Sequence, residues 1–327
     1  MLGFEVHVSC GGRRLMSFGV MYHNVGGVSD GCIAGVPSVS TAAFEEQLDV
    51  ICSKADVVES DGFIGAGAAS AREKVLLTFD DGLLCHYRVV APILLRRRLA
   101  GVFFVAADVL ENGEVLDVQR VQFLLAQRGM EIEQRIREHL LGAIAPWRLT
   151  DHQVDMRYPG LLRNRHDQSD VALIKKYLQV LIPASERRGI ISDAIVKFFG
   201  ADGGPKCDDV YMNREQVSDL AKAGFAIGGH SASHPWMAYI DKEQLAEEVG
   251  ASRSLVHSFG QRNPMFCYPY GSHSRDVMDE VRRSGFECAF SVVSGRVSDY
   301  QQQRFALPRI DTVDLPPSVG WPEIVAV

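Results

Sequence analysis

Short, unbroken apolar runs alternate with amphipathic stretches through most of the chain, and that alternation predicts repeated strand–helix units. Runs at 16–22 (MSFGVMY), 75–79 (VLLTF), 101–106 (GVFFVA), 225–228, 265–268 and 289–293 read as strands, with 305–310 closing the set. Helices are expected at 41–53, opened by Ser40 or Thr41 as N-cap, at 242–257 and at 275–284. A further helix, started or kinked at Pro92, follows the second strand. The strands have no polar face. Such strands are stable when both faces are covered, which means a parallel sheet or barrel wrapped by helices.

The middle of the chain departs from this pattern. Between about 115 and 209 there is no strand signal, only helical periodicity at 131–142, 169–182 and 185–199, interrupted by a charged span at 148–169. The expected architecture is a single α/β domain over 1–327, its body formed by about 16–110 and 210–312, with 115–209 as a helical insertion. The alternative is that these helices belong to the outer layer of the barrel.

Composition narrows the function classes. The chain has 327 residues, 46% hydrophobic and 23% charged, which supports a large core and excludes a disordered or fibrous chain. With 34 basic against 41 acidic side chains the net charge is −7, and the one basic cluster, Arg96–Arg98, lies at a predicted helix end. Nucleic acid is therefore not the expected partner. No basic segment leads into an apolar stretch at the N-terminus, and no apolar run approaches the roughly 20 residues needed to span a bilayer. Seven cysteines, odd in number and without a C-x-x-C pair, point to reduced thiols and a cytoplasmic location.

Candidate chemistry collects at strand ends, where ligands bind in parallel α/β folds. Asp80 and Asp81 follow the run VLLTF directly and precede Gly82. Two adjacent carboxylates beside a buried strand need a cation or a proton to offset them, although either one also suits a helix N-cap. His230 and His234, separated by three residues and followed by Pro235, come after the Gly228-Gly229 pair. The proline favours a strand-to-loop turn over a helix there, and either geometry brings two imidazoles to one ion. Two imidazoles and a carboxylate make a three-ligand site with positions left for water and substrate. Tyr268-Pro269-Tyr270-Gly271 at a third strand end is, alone, only a turn signal.

Taken in order, the TFDDG, HSASHP and YPYG segments resemble the first three motifs of the polysaccharide deacetylases of the NodB homology type, carbohydrate esterase family 4. The resemblance covers the body and leaves out the helical middle. It implies a distorted (β/α)7-type barrel that removes N-acetyl groups from amino sugars with one divalent metal, most simply Zn2+. Residue by residue, it implies Asp81, His230 and His234 as metal ligands, Asp80 as general base, and the Tyr270 backbone N–H as oxyanion donor.

Two departures stand out. The family's third motif carries an arginine that tethers the base, and this chain has Cys267 there; Arg309, in FALPRI, is the candidate to supply the guanidinium from another strand end. The family's later Leu-x-His motif, source of the general acid, has no counterpart, because no histidine follows His273. His23, at the end of the first strand, is the preferred acid, with His273 as the rival and His86 read as a helix-surface histidine. Cys267 itself reads as a small buried residue. Of Trp147, Trp236 and Trp321, Trp236 is the one placed to stack on a sugar.

The expected function is a cytoplasmic, metal-dependent N-deacetylase. Its substrate would be an N-acetylated sugar in surface-polysaccharide or lipopolysaccharide assembly, carried on a nucleotide, a lipid or an oligosaccharide. The alternatives are hydrolysis of another small amide or formamide on the same site, or a carbohydrate-binding barrel without catalysis.

Overall fold

The apolar runs form strands buried along nearly their whole length, in a computed structural model that describes residues 17–64, 72–158 and 169–315. They are β1 (Ser17–Tyr22), β2 (Ala55–Val57), β3 (Glu73–Phe79), β4 (Val102–Val105), β5 (Ala226–Gly229), β6 (Met265–Cys267), β7 (Cys288–Phe290) and β8 (Arg309–Asp311). All pairings between these strands are parallel, in the order β7-β6-β5-β4-β3-β1-β8, and β2 joins the early part of β3. The segment leading into β8 pairs with β7: Leu307 N–H donates to the Ala289 carbonyl at 2.8 Å, and Ser291 N–H to that of Leu307 at 2.9 Å. Since β8 then pairs with β1, the seven-strand path nearly closes, as the expected (β/α)7-type barrel requires.

The barrel is narrow and filled. Phe79 and Phe103 stack on adjacent strands, ring centroids 5.0 Å apart, and Phe79 also stacks on Tyr22 at 5.3 Å. Gly19 of β1 lies opposite Arg309 of β8, and a Cβ there would stand 2.9 Å from the arginine Cγ. Only glycine leaves room for that side chain.

One strand was not expected from the sequence, whereas the helix expected to start or kink at Pro92 does start there. Strand β2 has just three residues, and its first, Ala55, also caps the helix Thr41–Lys54, so no apolar run announces it. Before Pro92 the chain makes a wide π-turn, His86–Val90, and the proline then sits in the first turn of the helix Ala91–Arg97, where its missing N–H costs nothing.

The middle folds as helices Asp117–Leu125, Met130–Ile144, Asp151–Arg157, Ser169–Lys176 and Ala184–Phe199 around an apolar cluster that includes Val121, Leu140, Leu178 and Ile191. Trp236 and Tyr239, from the loop after β5, pack against this cluster. The first of these helices carries no sequence signal. Its N-cap, Leu116, makes no side-chain cap, and buried Gln119 interrupts the apolar face.

Candidate metal centre

Each motif follows a strand of the barrel at its C-terminal end, and left-handed residues turn the side chains inward. Asp81 (φ 74°), Ser231 (φ 60°), His234 (φ 62°) and Tyr270 (φ 55°) all adopt this costly conformation without being glycine. Such residues cost about 1–3 kcal/mol each and persist where the surroundings over-determine them. Here the surroundings are visible. The β4–β5 ladder continues past the strand ends, with the Ala107 and Asp108 N–H groups donating to the Ser231 and Ala232 carbonyls. Buried Glu248, on the helix Lys242–Ser258, accepts from the N–H groups of Ala232 and Ser233 at 2.8 Å each and from the Ser233 hydroxyl. The loop between the two histidines is thereby pinned from below.

Asp81, His230 and His234 meet in one buried group whose ligand atoms all lie within 4.8 Å of one another. Asp81 Oδ1 is 3.2 Å from His230 Nε2 and 3.4 Å from His234 Nε2. Two atoms bound to a tetrahedral zinc at about 2.0–2.1 Å would stand about 3.3–3.4 Å apart. The tautomer fits as well. His230 Nδ1–H donates to the Cys267 carbonyl at 2.8 Å, which leaves a lone pair on Nε2 facing a carboxylate oxygen. Two acceptors at that separation repel unless a cation or proton lies between them, so the donor set suits a divalent metal.

The electrostatics carry the same message. Burial opposes ionisation of Asp81, but the two imidazoles outweigh it and hold the carboxyl well below its usual range. Burial also works against a charged His230, yet Cys267 and the neighbouring carboxylates push its pKa well up. His234 goes the other way, because burial dominates. Without an ion these directions favour one positive charge, on His230, facing the ionised Asp81.

Asp80 stands beside this group without joining it. Arg309 grips it with two hydrogen bonds, Nη1 to Oδ1 and Nη2 to Oδ2, both 2.8 Å. The remaining guanidinium donors reach Thr78 Oγ1 (3.0 Å), Cys267 Sγ (3.1 Å) and the Ser291 carbonyl (3.0 Å), so a fully buried cation has all five N–H groups satisfied. Burial would raise the Asp80 carboxyl, but the Arg309 charge and hydrogen bonds, with His23 and His230, bring it down to about 2. The arginine absent at position 267 thus has a spatial substitute, and Cys267 fills the space beside it, 3.5 Å from Asp80 Oδ2.

His23 Nε2 is 3.9 Å from Asp80 Oδ2, with the His23 side chain 43% exposed, so it is the imidazole beside Asp80 that solvent reaches. His273 is engaged elsewhere, through Nδ1 to the Gly271 carbonyl and by stacking on Tyr268. The sequence reading of His86 as a surface residue is corrected: it is fully buried, and its Nε2–H donates to the His23 carbonyl at 2.8 Å. Tyr270 packs edge-on against His234 at 4.6 Å and stacks on Trp236 at 4.8 Å. Trp236, half-buried, also lies parallel to Tyr239 with ring centroids 6.1 Å apart. Trp147 packs on the helical cluster, and Trp321 lies outside the described residues.

One contact was not anticipated. Gln119 Nε2 donates to Asp81 Oδ2 at 2.8 Å, from the unpredicted helix Asp117–Leu125 of the helical middle. A buried glutamine in an apolar helix face was its only signal.

The comparisons with known proteins bear on this arrangement. The family model described as Polysaccharide deacetylase matches residues 199–289, which hold both histidines and the Tyr268–Gly271 turn; Asp80, Asp81 and Arg309 lie outside the match. A curated relative from Bacillus subtilis (strain 168), provisionally named polysaccharide deacetylase YxkH, is 23% identical over 101 residues, and that stretch spans 31% of this chain and 36% of the relative. Among solved structures, the Streptococcus pyogenes deacetylase PplD in complex with acetate superposes with a TM-score of 0.57 at 13% identity, covering 93% of this chain and 95% of that one. A de-N-acetylase from Aggregatibacter actinomycetemcomitans gives 0.52 at 13% identity, over 90% and 94% of the two chains. At such identities the likeness is one of fold. Family model and curated relative thus match part of the chain, the model within its C-terminal half, and the solved deacetylases share its barrel fold.

Proposed function

We propose that this protein is a metal-dependent N-deacetylase that hydrolyses the acetamide of an N-acetylated amino sugar. The observation that carries the reading is the meeting of one Asp81 oxygen with two imidazole Nε2 atoms, beside an ionised Asp80 tied to Arg309. A divalent ion, most simply zinc, held by Asp81, His230 and His234 supplies Lewis acidity that polarises an amide carbonyl and makes water a better nucleophile.

The rest is the work of the chain. Asp80 carries no proton at neutral pH and is fixed by Arg309, so it is ready to accept one from the attacking water as general base. Tyr270, held in its left-handed turn between His234 and Trp236, offers its backbone N–H to the developing oxyanion. His23, partly exposed and 3.9 Å from Asp80, hands a proton to the departing amine, the role the family's missing later motif leaves open. Acetate and the free amino sugar are the products.

The proposed substrates are N-acetylated sugars of surface-polysaccharide or lipopolysaccharide assembly, linked to a nucleotide, a lipid or an oligosaccharide. We place the reaction in the cytoplasm, where buried thiols such as Cys85, Cys267 and Cys288 stay reduced. No helix among the described residues is long and apolar enough to cross a membrane.

The test is the metal content of purified protein beside Asp81→Ala and Asp80→Asn. The expected result is about one metal per chain in wild type and Asp80→Asn, loss of metal in Asp81→Ala, and acetate release from wild type alone. No metal in wild type after supply of zinc, cobalt and manganese would overturn the proposal.

A further inference from the structure

Asp81 has two oxygens, and the structure treats them differently. Oδ1 faces both histidines, whereas Oδ2 accepts from Gln119. We propose that Gln119, a residue of the helical middle, is a positioning residue of the metal centre that occupies Oδ2, so that Asp81 binds the ion through Oδ1 alone. This rests on the metal-dependent reading above.

The direction of every bond in the chain behind Gln119 is forced. A backbone N–H can only donate, and that of Leu116 points at the Tyr211 hydroxyl oxygen at 3.3 Å. Asp81 Oδ2, a carboxylate oxygen, only accepts, so Gln119 presents Nε2–H to it and turns Oε1 toward the Tyr211 O–H, which donates at 2.7 Å. Gln119, Tyr211 and Asp81 are 2%, 1% and 5% exposed, so water does not compete for these bonds. Tyr211 is itself registered to the aspartate turn: Leu83 and Tyr211 form an antiparallel bridge, and Met212 N–H donates to the Gly82 carbonyl at 3.0 Å.

The chemical consequence concerns coordination number. A carboxylate free at both oxygens can chelate an ion and fill a position that water or the substrate carbonyl needs. With Oδ2 engaged by an N–H donor, the ligand set stays at three atoms from protein. The helical middle therefore completes the centre through its first helix, in addition to packing on Trp236 and Tyr239.

The probe is cobalt(II), added to the full chain after zinc removal, with wild type, Gln119→Leu, Tyr211→Phe and Asp81→Ala compared. Gln119→Leu is expected to weaken cobalt affinity about 10–100-fold, the usual effect of losing a partner behind a ligand. Its visible d–d absorption per bound ion should also fall, because a bidentate Asp81 raises the coordination number. Tyr211→Phe should shift both readouts in the same direction by less, since the amide survives but loses its orienting bond. It also carries the test if Gln119→Leu fails to fold in a thermal melt. Wild-type affinity and spectrum in the folded variants would overturn the proposal while leaving the metal centre intact. Absence of cobalt binding in wild type itself would overturn the metal-dependent reading, and the proposal with it.

Discussion

The Arg309–Asp80 pair is the most exposed point of this reading to experiment. In Arg309→Met the apolar stem is kept and the guanidinium is lost, so the change isolates charge and hydrogen bonding from packing. Asp80 is then a fully buried carboxylate whose two strongest partners are gone. It has one inexpensive escape, which is to take up a proton. From an ordinary value of 3.8, protonation at pH 7 costs roughly 4 kcal/mol, at about 1.36 kcal/mol per pH unit. That escape caps the electrostatic loss, and the result agrees with the about 3–5 kcal/mol found when one partner of a buried ion pair is removed. The assay is urea unfolding with chelator present, so that metal binding does not mask the effect. Arg309→Met should lose about 3–5 kcal/mol, whereas Asp80→Asn/Arg309→Met should lose clearly less than the two single changes combined. A single-variant loss below about 1 kcal/mol, or strict additivity in the double, would refute the claim that Asp80 is ionised and held by Arg309.

Two further predictions address the supports around the centre. Glu248→Ala leaves the N–H groups of Ala232 and Ser233 without their buried acceptor, and should weaken metal binding about 10–100-fold with the fold retained by circular dichroism; unchanged affinity would show that the loop holds its shape without it. Burial, helped by the charge of His23, lowers His86 to about 4 against the hydrogen bond to the His23 carbonyl and the field of Asp81 and Asp80, so the folded state refuses a proton that the unfolded chain accepts below about 6.5. Stability from this group is complete above that pH and is lost as pH falls toward 4, by up to about 3 kcal/mol. Comparing urea unfolding of wild type and His86→Gln between pH 7 and 4 should show a shallower decline in the variant, and parallel curves would refute the assignment.

Much of the site was legible along the chain because its signals are local. Apolar runs bounded by glycine mark the strands at any position, and a carboxylate pair or two histidines directly after such a run land at strand ends without knowledge of the rest of the fold. Asp80, Asp81, His230 and His234 are of this kind, each within a few residues of its strand. Strand β2 and the helix Asp117–Leu125 were not legible, since one has a charged centre and the other begins without a cap.

What the sequence by itself determined is a parallel α/β body wrapped by helices, the strand-end placement of the chemical groups and the helical character of the middle. All follow from periodicity and turn chemistry, which act over a handful of residues. Only the tertiary structure decided which distant groups meet. Arg309 reaches Asp80 across 229 positions, through a gap that Gly19 leaves open. Gln119 reaches Asp81 because its amide is held between the acceptor-only carboxylate and the Tyr211 hydroxyl. His86 is buried because a wide turn rotates it onto Phe79 and Phe103. Long-range contacts of this kind depend on strand order, on closure of the sheet and on the volume each side chain finds there. No local pattern encodes them.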